Sequence, residues 1–231
     1  MALVRPIRLA AAAALALSLA ACESDAPTQE EATSDAQSVA VRQASASAAT
    51  RFDEVFAALT KGTPGLRPVA TATSDTCRAG ATNGLFPHDT YRLQCHRSEV
   101  RYFGARGDLL DVLREVDAAA KRAGLIPNTG ATLEGVEAYY RGDGKTDDGR
   151  LLPLPLMNYL VPGFDGPIYI GWSQAGDPRR SEPAVELSWP IVFQEDRPVD
   201  VDSLWSGRLR GQKYLITFGT GVTYHEVPWP D

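Results

Sequence analysis

The sequence predicts an α+β fold: one antiparallel β-sheet with α-helices packed on one face, in two layers. Three observations carry this. Apolar residues recur at intervals of three and four in two segments, around 41–59 and 109–123, the spacing that lines one face of a helix. Apolar and polar residues alternate near 91–102 and again over much of 168–227, as a half-buried strand requires. Glycine and proline punctuate the segments between. Helices and strands run in blocks rather than alternating as βαβ units, which points to a segregated sheet.

The first helix is expected from Val39, where Val41, Ala44, Ala48, Phe52, Val55, Phe56 and Leu59 make one stripe, and it stops at Gly62 and Pro64. Residues 68–83 read as a turn-rich loop. "YRLQCHRSEVRYFG" then reads as a strand, with Leu93 and Cys95 on one face and a bulge near Arg97 and Ser98. The clearest element is "GDLLDVLREVDAAAKRAGL". Asp108 is its N-cap, Leu109, Val112, Leu113, Val116, Ala120 and Ala123 its apolar stripe, and Gly124 its terminating glycine. A short strand is expected over Val136–Tyr140. After it come the polar loop "RGDGKTDDGR" and an irregular stretch marked by Pro153, Pro155, Pro162 and Pro167. The strands "PIYIGWSQ", "VELSWPIVFQ" and "KYLITFGTGVTYHEV" close the chain as a meander, and Pro190 inside the second assigns it to an edge or a bulge.

The amino terminus follows different rules. Arg5 and Arg8 precede an apolar run from Leu9 to Ala21, too short for the roughly 20 residues of a spanning helix and arranged as a signal peptide. Leu19-Ala20-Ala21-Cys22 resembles the lipobox of bacterial lipoproteins. The resemblance implies cleavage before Cys22 and acylation of its thiol, the most nucleophilic side chain available, with two or three acyl chains giving stable anchoring. The alternative is an ordinary signal peptide that leaves Cys22 free. Residues 22–38, with "ESDAPTQEEATSDAQS" after the cysteine, carry five acids and no large apolar group, so a disordered acidic tether is expected there. A single α+β domain is expected over 39–231.

The chain has three cysteines. With Cys22 lipidated, Cys77 and Cys95 remain as an even pair in an oxidising compartment, and a disulfide between them would contribute about 3 kcal/mol. A metal site from Cys77, His88, Cys95 and His96 is the rival, though its spacing fits no paired zinc pattern. The 23 basic residues less Arg5 and Arg8 leave 21 against 29 acidic ones, a formal charge of −8. That balance argues against a nucleic-acid partner and leaves membrane attachment to the acyl chains.

No G-x-S-x-G, H-E-x-x-H or S-x-x-K pattern occurs. "GDGKT" at 142–146 lacks the first glycine of a phosphate loop and is better read as a hairpin loop. Asp143, Asp147 and Asp148 miss the EF-hand spacing. His225 and Glu226 are strand neighbours and face apart. Glu134 and Glu137 are a carboxylate pair with nothing to place them in a cleft. No catalytic, cofactor or metal residue is assigned. Tyr169, Trp172, Trp189, Trp205, Tyr214, Tyr224 and Trp229 are many rings for the late strands; core packing is the plain reading, docking of a sugar or peptide the sharper one. "CRAG" at Cys77, the strand through Cys95 to "RYFG" and the 109–123 helix together resemble poorly characterised actinobacterial secreted lipoproteins, over residues 75–175. That resemblance implies an envelope location and carries over no functional residue. The expected role is a lipid-anchored, extracytoplasmic interaction or accessory module with an envelope protein or glycan partner. A carboxylate-dependent hydrolase and an inhibitor or immunity-type lipoprotein are the alternatives.

Overall fold

Where the apolar spacing is strongest, the helices form as expected. In the computed structural model, which describes residues 28–80, 89–142, 144–145, 149–150, 152–164, 166–174 and 191–229, the elements run α1 (Gln29–Ala36), α2 (Val39–Lys61), β1 (Arg67–Ala79), β2 (Tyr91–Ala105), α3 (Leu109–Arg122), β3 (Ile126–Pro127), α4 (Leu133–Arg141), β4 (Met157–Leu160), β5 (Ile168–Gln174), β6 (Ile191–Arg197), α5 (Val201–Ser206) and β7 (Tyr214–Pro228). The seven strands form one sheet in the order β3-β4-β5-β7-β2-β1-β6, and every pairing is antiparallel. The fold is α+β.

The two predicted helices have the predicted faces and ends. Val41, Ala48, Phe52, Phe56 and Leu59 of α2 are buried. In α3 the Asp108 carboxylate accepts from the Leu110 and Asp111 amides, and Leu109, Leu113, Val116 and Ala120 are buried. Gly124 sits at φ +80° just past its end, a left-handed position that only glycine takes without strain. Both helices lie on the face of the sheet that carries Phe103, Ile216 and Phe218, and together they make the main core. Fully burying each of these large side chains stabilises the fold by about 1.5–3 kcal/mol.

Several local expectations are corrected. Residues 29–38, expected in the disordered tether, are folded. Thr28 and Glu31 form a capping box on α1, Ala32 and Ala36 are buried, and Asp35 pairs with Arg92 at 2.6 Å. Local capping and small residues that fit closely against the sheet supply what composition alone does not show. The turn-rich 68–79 segment is β1, because pairing on both sides satisfies its backbone whatever its turn propensity. The strand expected over 136–140 is α4: Thr132 caps it and Val136 is buried. Leu133, Val136 and Tyr140 have helical spacing that the short apolar-aromatic run disguised. Gly142 caps α4, so "GDGKT" begins at a helix end rather than in a hairpin. The proline-marked stretch contains β4, whose Met157 and Tyr159 are buried. The register of β2 against β7 shifts at Tyr91/Leu93 and at Cys95/His96, not at Arg97 and Ser98.

The late strands are not a meander. β5 and β7 are neighbours, but β6 crosses to the far edge beside β1. That edge position agrees with Pro190 immediately before it, itself outside the described residues with Trp189. The opposite sheet face is partly covered too. Val69 and Leu215 pack there with Leu204 and Leu209 of α5 and its following turn. Gly104 permits this approach, since a Cβ there would stand 2.5 Å from Gln212. No helix among the described residues is long and apolar enough to cross a membrane.

Candidate functional site

The disulfide comes first because it organises one half of the sheet. Cys77 and Cys95 are directly opposed on β1 and β2 and are bonded, both fully buried. The bond therefore joins two paired strands, rather than pinning a loop to the core. It also removes these cysteines from any metal site; among the described residues no cluster of three metal-ligating side chains exists. His88 and Cys22 lie outside the described residues.

Beside the disulfide stands a polar network centred on Asp75. Asp75 of β1, 7% exposed, accepts from the Tyr224 hydroxyl at 2.6 Å and from Arg97 Nη1 at 3.1 Å, and the Ser45 hydroxyl of α2 also donates to it. The Tyr224 hydroxyl is 3.7 Å from Cys77 Sγ. Burial, with the hydrogen bond to Asp75 adding to it, pushes the Tyr224 hydroxyl above the ordinary tyrosine range. Two further buried carboxylates are held in the same manner. Glu99 pairs with Arg101 at 2.7 Å. Asp117 of α3 accepts from the Tyr159 hydroxyl at 2.7 Å and pairs with Lys121 at 2.8 Å. Burial first, then the Asp117 bond, raises Tyr159 far above its usual value. Buried charges persist when paired and hydrogen-bonded, and all three meet that condition. They are structural anchors between helices and sheet.

A different arrangement occurs where β2 ends and α3 begins. A cavity of about 240 Å³ opens there, lined by Asp108, Leu110, Tyr140, Trp172, Gln174 and Tyr214 among others. The register explains the convergence: Tyr214 pairs with Ala105 on one side and Gln174 on the other, so the ends of β2, β5 and β7 meet at the first turn of α3. Trp172 Nε1 donates to the Tyr140 hydroxyl at 2.8 Å, fixing one wall. Lys213 Nζ donates to the Gly107 carbonyl at 3.2 Å and stands 5.2 Å from the Tyr214 ring centroid.

The sequence candidates distribute unevenly over these places. Trp172 and Tyr214 reach the cavity, Tyr224 joins the Asp75 network, and Trp205 of α5 packs against the Val69 and Leu215 cluster. Trp229 donates to the Asp89 carbonyl at 2.8 Å, while Tyr169 is 44% exposed on the sheet. Glu137 pairs with Arg114 at 2.9 Å. Glu226 accepts from Gln94 at 2.7 Å and does not act with His225. Asp143, Asp147 and Asp148 are outside the described residues. The sequence reading missed Asp75, Ser45 and Arg97, which are 22 to 52 positions apart where they meet. It also missed Asp108, Tyr140 and Gln174 as one constellation; the helical spacing of Leu133, Val136 and Tyr140 was the usable signal for Tyr140. No family model, curated protein or solved structure matches this chain.

Proposed function

We propose that the chain is a lipoprotein of the bacterial envelope, anchored through acylated Cys22, whose folded part is a non-catalytic interaction module outside the cytoplasm. One observation carries the choice between module and hydrolase. Among the described residues the cavity is lined by a single carboxylate, Asp108, whose Oδ1 caps α3. Carboxylate-dependent hydrolysis needs two acids in complementary protonation states facing one substrate. The buried acids Asp75, Glu99 and Asp117 lie elsewhere and are each neutralised. The anchored reading rests on the lipobox of residues 19–22 and its place at the end of an apolar run.

The test is acyl labelling and fractionation of wild type and Cys22→Ser. Wild type should carry label and sediment with membranes, and the variant should be unlabelled and lose that attachment. Unacylated wild type free in the culture fluid would overturn the reading.

A further inference from the structure

We infer that the cavity at the β2–α3 junction binds a single saccharide ring; this rests on the anchored-module reading above. Its lining has the two halves that a sugar requires. Tyr140 and Tyr214 line it, and tyrosine rings are of the kind that pack on the apolar C–H face of a pyranose. Asp108 and Gln174 offer a carboxylate and an amide to its hydroxyls. Asp108 is rigid, because one carboxylate oxygen, Oδ1, takes both capping bonds, and this leaves Oδ2 for a ligand donor. Size limits the occupant: about 240 Å³ is below the roughly 300–1,000 Å³ of pockets for drug-sized ligands. One ring fits and a longer glycan must extend out of the mouth.

Charge excludes the nearest competitor, an anionic group. The ligating charge in the lining is negative, and the adjacent cation, Lys213, is turned to the Gly107 carbonyl and the Tyr214 ring. The cavity is also remote from α1, the first described element of the chain. The described residues begin at Thr28, six peptide links after Cys22, a span of at most about 20 Å. α1 packs by Arg92 and Leu93, at the start of β2. The cavity lies at the other end of that 15-residue strand, on the order of 45 Å further away.

The experiment uses the full lipidated chain in detergent, with glucose, galactose and N-acetylglucosamine as probes, followed by saturation-transfer NMR and titration of tryptophan fluorescence. At least one probe should bind saturably. Asp108→Asn, which keeps a capping side chain, and Gln174→Ala, an exposed position, should each weaken it about tenfold with an unchanged thermal midpoint. Failure of all three probes to saturate, or equal binding by both variants, would overturn the inference, as would displacement of the probe by anionic vesicles at the same residues. The anchoring reading fails independently: loss of acylation at Cys22 with saccharide binding intact sinks that reading alone, and acylated protein that binds no probe sinks this inference alone.

Discussion

Around the Cys77–Cys95 bond, Asp75 is matched to Arg97, Ser45 and Tyr224, and strand, helix and disulfide lock one another. At the Ala105–Tyr214 end the polar and aromatic groups of Asp108, Gln174, Tyr140 and Tyr214 face a common space instead. The two regions use similar residue types, a carboxylate and tyrosines beside a helix. They differ in whether the groups satisfy one another or converge on a cavity. A paired and hydrogen-bonded network rigidifies a fold, while groups with remaining hydrogen-bonding capacity around a void are what a ligand needs.

The contrast should break most sharply at Asp75. Asp75→Ala leaves the partly buried Arg97 without its partner and should lower stability by about 3 kcal/mol, read from the urea midpoint. Combining it with Tyr224→Phe should cost less than the sum of the two single changes; strict additivity would mean that the network is not coupled. Next in size is the disulfide. Cys77→Ser with Cys95→Ser should cost about 2–4 kcal/mol while leaving saccharide binding unchanged, since the bond lies in the other half of the sheet.

Alkaline pH probes the second anchor. Tyr159 has a raised hydroxyl pKa in the folded chain, so its stabilisation is fully present below the ordinary tyrosine value of 10.0. Above it the unfolded chain releases the proton and the folded chain holds it, so stability falls as pH rises, by about 1.4 kcal/mol per pH unit. Urea midpoints between neutral pH and the alkaline limit should show the decline, and Tyr159→Phe should make it shallower, with Tyr224, raised in the same direction, supplying part of what remains. An unchanged slope in that variant would remove Tyr159 as its source. The smallest effect belongs to the cavity end: Asp108→Asn should change stability by about 0.5 kcal/mol or less, with its consequence confined to binding. A large drop in the thermal midpoint would recast Asp108 as a structural residue only.

How far residue order reaches is visible in particular elements. α2 and α3 were legible because their apolar stripes, caps and terminating glycine are encoded within a few turns. The same local logic read Asp108 as an N-cap, and the strands of β2, β5 and β7 from their alternation. It failed at α1, where alanines that look inert in isolation are buried by a neighbouring sheet. It failed at β1, whose turn-forming residues are held extended by β2 on one side and β6 on the other. Cysteine arithmetic found the pairing of Cys77 with Cys95, but not that they face each other across adjacent strands.

Helix faces, strand alternation and the cysteine pair thus followed from the chain's own order, because each depends on contacts between near neighbours or on a count. Strand order, the departure of β6 to the far edge, the closure around Asp75 and the meeting of Asp108 with Tyr140, Gln174 and Tyr214 did not. Those depend on which distant segments pack together, a choice made by the summed burial and pairing of the whole sheet and carried by no single stretch of residues.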